Sequence, residues 1–385
     1  MEKKLTVGFD AKRIVRNASG LGAYSRTLVN DIIRCSRGGM NLLLYAPDRG
    51  LDSLRSQIDT GGGARFVYPQ GHPGRLRRDY WRARGVTAQL VADGVDLYHG
   101  LTGELPFGLR KAGVKGVVTI HDLIFMRHPE YYHWIDTRIY RWKFFNACRE
   151  ASRIIAISER TKADIVELGG VDPSKVDVIY QSCDPRFTGS VTAGLLAETA
   201  ARYRLPRRFV LSVGTIERRK NVMLALRALC GLPSDVHLVV VGRRTPYAAS
   251  VEREACALGL SQRLHVLCGV DDTHLQAIYR LAEAFVYPSR YEGFGIPVIE
   301  AIFSGLPVVA CTGSCLEEAG GPASLYVGPD DAGAMARALG QVLRGAPGRE
   351  GRIRESQAYV ERFRGASVAE QVMRVYATCC TPTRA

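Results

Sequence analysis

Two carboxylates, Glu292 and Glu300, stand eight positions apart in the string Ser289-Arg-Tyr-Glu-Gly-Phe-Gly-Ile-Pro-Val-Ile-Glu300. Gly293 and Gly295 permit a turn and a close approach that side chains would block. Pro297 suits a first helical turn, where no backbone donor is needed. The run from Ile296 to Ser304 then reads as a short helix, stopped by Gly305 and Pro307. Glu292 therefore falls in the loop and Glu300 on the helix. The backbone amides of Phe294, Gly295 and Ile296 form an anion site at the helix start. Carboxylates for sugar hydroxyls beside amides for phosphate point to a nucleotide-sugar pocket. Taken singly, each glutamate also fits a loop cap or a solvated helix face.

A second group lies after the apolar run Phe209–Gly214, in Thr215-Ile-Glu-Arg-Arg-Lys-Asn221. Arg218, Arg219 and Lys220 end a strand, where a diphosphate binds in doubly wound sheets; the alternative is a solvated basic turn. In the first half, Gly20 and Gly22 sit in the segment Lys12–Gly22, between strand one and a helix Ala23–Cys35 with a buried stripe of Leu21, Tyr24, Leu28 and Ile32. His121 and Asp122 end another strand, and Ser158 ends a further one. No Asp-x-Asp occurs in the sequence, and Asp271-Asp272 and Asp330-Asp331 read as helix N-caps.

The string Ser289–Glu300 closely resembles the glutamate–seven residues–glutamate motif of retaining glycosyltransferases of GT-B architecture, family 4. The resemblance covers most of the chain and is strongest over Val210–Asn221 and Ala284–Ala310. It implies that Glu292 holds donor-sugar hydroxyls, Glu300 the ribose, and the Phe294–Ile296 amides the diphosphate. Lys220 matches the family's diphosphate lysine, while Thr215 stands where an arginine is usual, so Arg219 is expected to replace it. His121 matches a histidine near the reacting carbon, with Asp122 positioning. Gly20, Gly22, Ser158, Gly242, Gly269 and Val270 match donor-contacting segments. Tyr180-Gln-Ser-Cys-Asp departs from the common Asn-Gly at its bend. The Thr-Ile-Glu-x-Arg-Lys-Asn pattern resembles a mannosyltransferase-like subgroup, which makes GDP-mannose the expected donor. UDP-glucose, UDP-galactose or a deoxysugar donor would use the same frame. No metal or other cofactor is expected: cations and a helix N-terminus would stabilise the leaving diphosphate.

The elements that must position these groups follow from length and pattern. At 385 residues, two domains are the natural prior. Short Val/Ile/Leu-rich runs alternate with helical periodicity, which argues parallel sheets covered on both faces. The expected architecture is α/β and GT-B: two doubly wound Rossmann-like domains facing each other across a cleft. The expected bounds are 1–188 for an acceptor-binding domain, 189–205 for a linker and 206–355 for the nucleotide-sugar domain. Residues 356–385 would form a helix crossing back to the first domain, plus a tail.

The charge balance, 52 Lys+Arg against 38 Asp+Glu, gives +14 and fits anionic partners. Ten cysteines without paired spacing favour a reducing compartment, with Cys379-Cys380 in an unstructured tail. The N-terminus carries no signal-peptide pattern, and no run approaches the ~18 apolar residues of a spanning helix. The expectation is a cytoplasmic protein, peripheral on the inner face of the plasma membrane if the arginine-rich Arg75–Arg84 segment meets anionic lipid. Arg138–Lys143 has the same flavour; both segments also fit a solvated face. No nucleic-acid motif accompanies the charge. The sequence thus points to a glycosyltransferase acting on a glycan or lipid-linked acceptor in surface-polysaccharide synthesis. Its competitors are a sugar-nucleotide epimerase and a non-enzymatic membrane- or nucleic-acid-binding protein.

Overall fold

The computed structural model of the chain describes residues 4–18, 20–71 and 74–380. Ser19, and with it the end of the sequon Asn17-Ala-Ser, lies outside them, as do the tail residues 381–385. The chain divides into two compact units. One holds the described residues up to Ser182 together with those from Phe363; the other is Cys183–Arg362. The division falls a few residues before the expected linker.

The first unit carries β1 (Leu5–Asp10), β2 (Met40–Tyr45), β3 (Ala64–Val67), β4 (Leu97–Gly100), β5 (Lys115–Ile120), β6 (Arg153–Ala156) and β7 (Val176–Val178) in the order β3-β2-β1-β4-β5-β6-β7. The second carries β8 (Phe209–Val213), β9 (His237–Val241), β10 (Leu264–Leu267), β11 (Ala284–Tyr287), β12 (Val308–Cys311) and β13 (Leu325–Val327) in the order β10-β9-β8-β11-β12-β13. Every paired strand is parallel. Each unit is thus an α/β, Rossmann-like sheet. The central strands are apolar along their whole length because helices cover both faces; β11 and β12 are buried throughout. The edge strands β3 and β13 were not legible, being short and only half-buried.

Several segments differ from expectation. Lys12–Gly22 is not a plain loop, since Lys12–Arg16 forms a helical turn before the helix Leu21–Ser36. The expected linker holds the helix Ala193–Arg202, capped by Thr192, within the second unit; its run of alanines and leucines carries high helix propensity. The single helix expected over Ser356–Ala377 is two, Arg349–Val360 and Gly365–Cys380, separated before Gly365. Cys379 and Cys380 end the second helix rather than lying in a tail. That helix belongs to the first unit, where Val368, Val372 and Tyr376 join the core of Leu28 and Ile32. Gly365 approaches Asp31 so closely that a Cβ would lie 2.2 Å from its carboxylate oxygen. Asp271 and Asp331 cap the helices Asp272–Leu281 and Ala332–Gly340.

Candidate functional site

In the second unit, three of the singled-out residues meet. Glu292, buried in the loop after β11, lies 2.9 Å from the Arg219 guanidinium and 2.7 Å from Lys220 Nζ. Ser289 Oγ donates to the same carboxylate. Burial pushes the Glu292 carboxyl up, but the Lys220 and Arg219 charges outweigh it and hold it at about 2. It is ionised at any working pH.

Lys220 closes a 3₁₀ turn, Arg218–Lys220, that follows β8, and Asn221 ends it in a left-handed conformation at φ 54°. Asn221 is fixed by donating to Pro329 O at 2.8 Å. The ammonium also donates to Tyr287 Oη at 2.6 Å and stands 4.9 Å from the centre of that ring. Burial lowers its pKa, and the Glu292 charge more than restores it. An ammonium has three donors. Glu292 and Tyr287 take two of them among the described residues.

Arg219 is held by three acceptors around the cluster. Its guanidinium donates to Tyr291 O at 2.7 Å and to Glu217 at 2.9 Å, besides meeting Glu292. Its own carbonyl accepts from Arg290 N at 2.9 Å, with Ser289 Oγ 3.3 Å away. The residue stitches the turn after β8 to the loop after β11. Arg218 is exposed.

The loop continues through Gly295, at φ 123°, into the helix Ile296–Phe303 with Pro297 in its first turn. A Cβ on Gly295 would meet Leu316 at 2.9 Å. Phe294 is buried, and Cys315 Sγ lies 2.9 Å from Phe294 O and 3.1 Å from Glu292 O, tying the loop from beneath. Glu300, half-buried on this helix, accepts from Tyr279 Oη at 2.9 Å. Burial pushes its carboxyl up to about 7, with the Tyr279 hydrogen bond opposing and the Asp184 charge adding to the rise. Two glutamates on one short segment thus shift in opposite directions, since two cations outweigh burial at Glu292 while burial dominates at Glu300.

Gly242 ends β9 against β8: a Cβ there would lie 1.9 Å from Gly214 O, and Thr215 N would be 3.4 Å away. Only glycine fits. Gly269 takes φ 68° after β10, followed by half-buried Val270.

In the first unit, His121 follows β5. Its Nε2 lies 2.8 Å from Leu101 O, so that nitrogen carries the hydrogen, and Nδ1 accepts from Gln181 Nε2 at 2.9 Å. The Tyr24 ring meets it edge-on at 4.7 Å. Burial pushes its pKa down to about 4, with the Leu101 hydrogen bond opposing and Arg13 adding to the fall, so the ring is neutral at pH 7. It opens on a cavity of about 240 Å³ lined also by Asp122, Tyr132 and Tyr140. Asp122 Oδ1 accepts from Ile124 N at 3.1 Å and shapes the turn. Ser158 is fully buried, and its hydroxyl caps the helix Glu159–Gly169 through Thr161 N at 3.0 Å. Gly22 is required by packing, since its Cβ would strike Asn17 O at 1.8 Å. Gly20, at φ 40°, precedes the helix and is exposed.

Sequence reasoning missed Gln181, Tyr279, Tyr287 and Cys315. Gln181 sits at the very bend where the usual Asn-Gly is replaced, which was its signal. Tyr279 reaches Glu300 from another helix, and nothing in the local sequence shows that.

The Arg75–Arg84 segment is not a uniform cationic face. Arg78 pairs with Asp48 at 2.8 Å and Arg82 turns inward, leaving Arg75, Arg77 and Arg84 exposed. Among the described residues, no helix is long and apolar enough to cross a membrane.

Two family models match the chain. One described as "Glycosyltransferase Family 4" spans residues 19–187, and one described as "Glycosyl transferases group 1" spans residues 200–358. The chain is 28% identical over 286 residues to the O-antigen chain mannosyltransferase B of Escherichia coli, covering 73% of this chain and 74% of that protein. It is 28% identical over 214 residues to the O-antigen chain mannosyltransferase RfbU of Salmonella typhimurium, covering 56% of this chain and 57% of that one. Among solved structures, Alr3699/HepE of Anabaena, in complex with UDP and glucose, superposes over 98% of this chain and 100% of its own, with a TM-score of 0.75 at 18% identity. At that identity the likeness concerns the fold.

Proposed function

We propose that this chain, which belongs to the family 4 glycosyltransferases of GT-B architecture, transfers mannose from GDP-mannose to a hydroxyl of a glycan or lipid-linked saccharide. Transfer proceeds with retention and without a metal, in bacterial surface-polysaccharide synthesis. The observation that carries this reading is the Glu292–Lys220–Arg219 cluster beside the Gly295 turn. The names of the two O-antigen mannosyltransferases support the donor sugar and the setting.

The proposed roles follow from the charges. Lys220 offers its remaining donor to the diphosphate, and the start of the helix Ile296–Phe303 adds backbone amides and a favourable dipole. Glu292, kept ionised, accepts hydroxyls of the sugar. Arg219 holds Glu292 and the loop in place rather than gripping phosphate. Glu300 takes the ribose hydroxyls, and Gly242, Gly269 and Val270 offer backbone to the base. The glycosidic bond to the diphosphate breaks while the acceptor oxygen attacks from the same face. The departing phosphate oxygen takes the acceptor's proton. Charge stabilisation and orientation supply the rate enhancement. His121, as a neutral Nε2–H tautomer, cannot take up a proton at neutral pH and serves by contact. A UDP-hexose donor is the second reading, favoured by the UDP and glucose held by the Anabaena protein.

Thermal unfolding across a panel of sugar nucleotides tests the donor. GDP-mannose at 100 times its dissociation constant should add ~2.7 kcal/mol. A UDP-sugar that stabilises more would replace it. Transfer measured in EDTA should persist, and the product's anomeric configuration should match the donor's; loss of activity or inversion would overturn those parts.

A further inference from the structure

The first unit contains a second cavity, of about 310 Å³, that the site above does not use. Its floor is an ion network around Arg82. That guanidinium meets Asp10 at 3.1 Å through Nε and Glu104 at 2.5 Å, and Glu104 in turn takes Lys143 at 3.1 Å. Arg82 lies on a π-helical turn, Trp81–Gly85, a local widening of the helix that aims the side chain inward. Burial pushes the Glu104 carboxyl up, but Arg82 and Lys143 overcome that and hold it at about 2. The rim carries Trp142, which is 58% exposed, with its ring centre 5.2 Å from that of Phe107.

Two features distinguish this cavity. The charged residues that line it balance, with Lys12, Arg82 and Lys143 against Asp10, Asp79 and Glu104, although the chain carries +14. Arg82, Lys143, Asp10 and Glu104 are paired with one another, and the lining as a whole presents hydrogen-bonding atoms of both kinds without net charge, which suits a neutral polyhydroxylated ligand and gives no advantage to a phosphate. An exposed indole beside such polar groups offers a flat apolar platform to the C–H face of a sugar ring. The second feature is position. Glu104 and Lys143 line this cavity and also the one that holds His121. The segment after β4 builds both, since Leu101 O accepts from His121 and Glu104 closes the network.

We propose that this cavity seats the acceptor, and that the acceptor's terminal unit is an uncharged pyranose. Its ring lies on Trp142, and its hydroxyls bridge the Glu104–Lys143 wall toward His121. This assignment rests on the glycosyl-transfer reading and adds the chemical class of the acceptor end.

The test titrates the whole protein with methyl α-mannoside, methyl α-galactoside and mannose 6-phosphate, followed by ligand-observed NMR, with GDP titrated in parallel. At least one neutral glycoside should bind, and mannose 6-phosphate should bind no better. Trp142→Ala should weaken the glycoside about tenfold, the loss of one ring contact, with GDP affinity unchanged. Trp142 is exposed, so this variant should fold; Glu104→Gln serves as a second probe of the wall and should also weaken the glycoside. The assignment is overturned if no neutral glycoside binds, if the phosphate binds more tightly, or if both variants bind the glycoside as wild type does. Binding of GDP or UDP without any glycoside would sink the acceptor site alone. Binding of neither class would sink the transferase roles with it.

Discussion

At Glu300 burial raises the carboxyl to about 7, with the like charges of Asp184 and Asp272 adding to the rise and the Tyr279 hydrogen bond and the Arg186 charge opposing it. The folded-state value, about 7, lies above the ordinary 4.5. Its contribution to stability is therefore full below the usual carboxylate range and is lost as pH rises through 7. A ribose that donates hydroxyls to the ionised form reverses the trend. Nucleotide affinity should rise with pH across this value, and the slope should vanish in Glu300→Gln; calorimetric titration of GDP at several pH values checks both. Glu292, held at about 2, should contribute no such slope. Lys220→Ala should lower the transfer rate ~10²–10³-fold, the usual cost of one missing stabiliser of developing charge, read as kcat with saturating donor. Full activity in that variant would remove the lysine from the diphosphate. The sequence marked Glu292 in the loop before a helix and Lys220 and Arg219 after a strand, as two separate groups that the fold brings together. It could not show that Arg219 turns to Tyr291 O, since a backbone acceptor leaves no trace in residue types.

The elements explain why the cluster is so tightly set. The turn after β8 and the loop after β11 are joined through Arg219 on both its backbone and its side chain, and Cys315 fastens the loop from below. Gly242 lets the ends of β8 and β9 close to contact. Gly242→Ala should destabilise the protein by about 1–3 kcal/mol, the range for overpacking a site with no room to give. The denaturant midpoint reports it, and an unchanged midpoint would mean the strand ends can part. The parallel strands were readable because burial on both faces writes an unbroken apolar run. The edge strands β3 and β13 were not, since a half-buried strand of three or four residues carries too few apolar positions. The inward Arg82 was hidden in a basic stretch for a related reason: its partners Asp10 and Glu104 lie on other elements.

On the scale of the whole molecule, positive charge and exposed apolar surface meet on the helix Trp134–Glu150, as they also do in Arg75–Arg84, where Leu76 and Tyr80 are exposed. The helix Trp134–Glu150 exposes Trp134, Ile135, Ile139 and Phe145, with Arg138 and Arg141 also exposed between them. That composition suits the boundary of an anionic bilayer. Cosedimentation with phosphatidylglycerol vesicles should show binding that weakens with salt. At ~1 kcal/mol per cation, Arg138→Ala with Arg141→Ala should cost about 2 kcal/mol, or roughly thirtyfold. Binding insensitive to both changes would reject this face. The sequence put the membrane expectation on Arg75–Arg84, where ion pairs occupy two of the arginines, and marked Arg138–Lys143 only as having the same flavour.

The return of the last helix has a consequence for how the chain is made. The middle unit, Cys183–Arg362, is continuous and can close as soon as it leaves the ribosome. The unit begun first must wait for the final helix, because Tyr376 meets His99 at 2.6 Å inside it and Val368 and Val372 cover Leu28 and Ile32. Until translation reaches those residues, the apolar face of the helix Leu21–Ser36 around Leu28 and Ile32 stays wet. A chain released early would carry that face into the cell, a ready mark for chaperones and proteases.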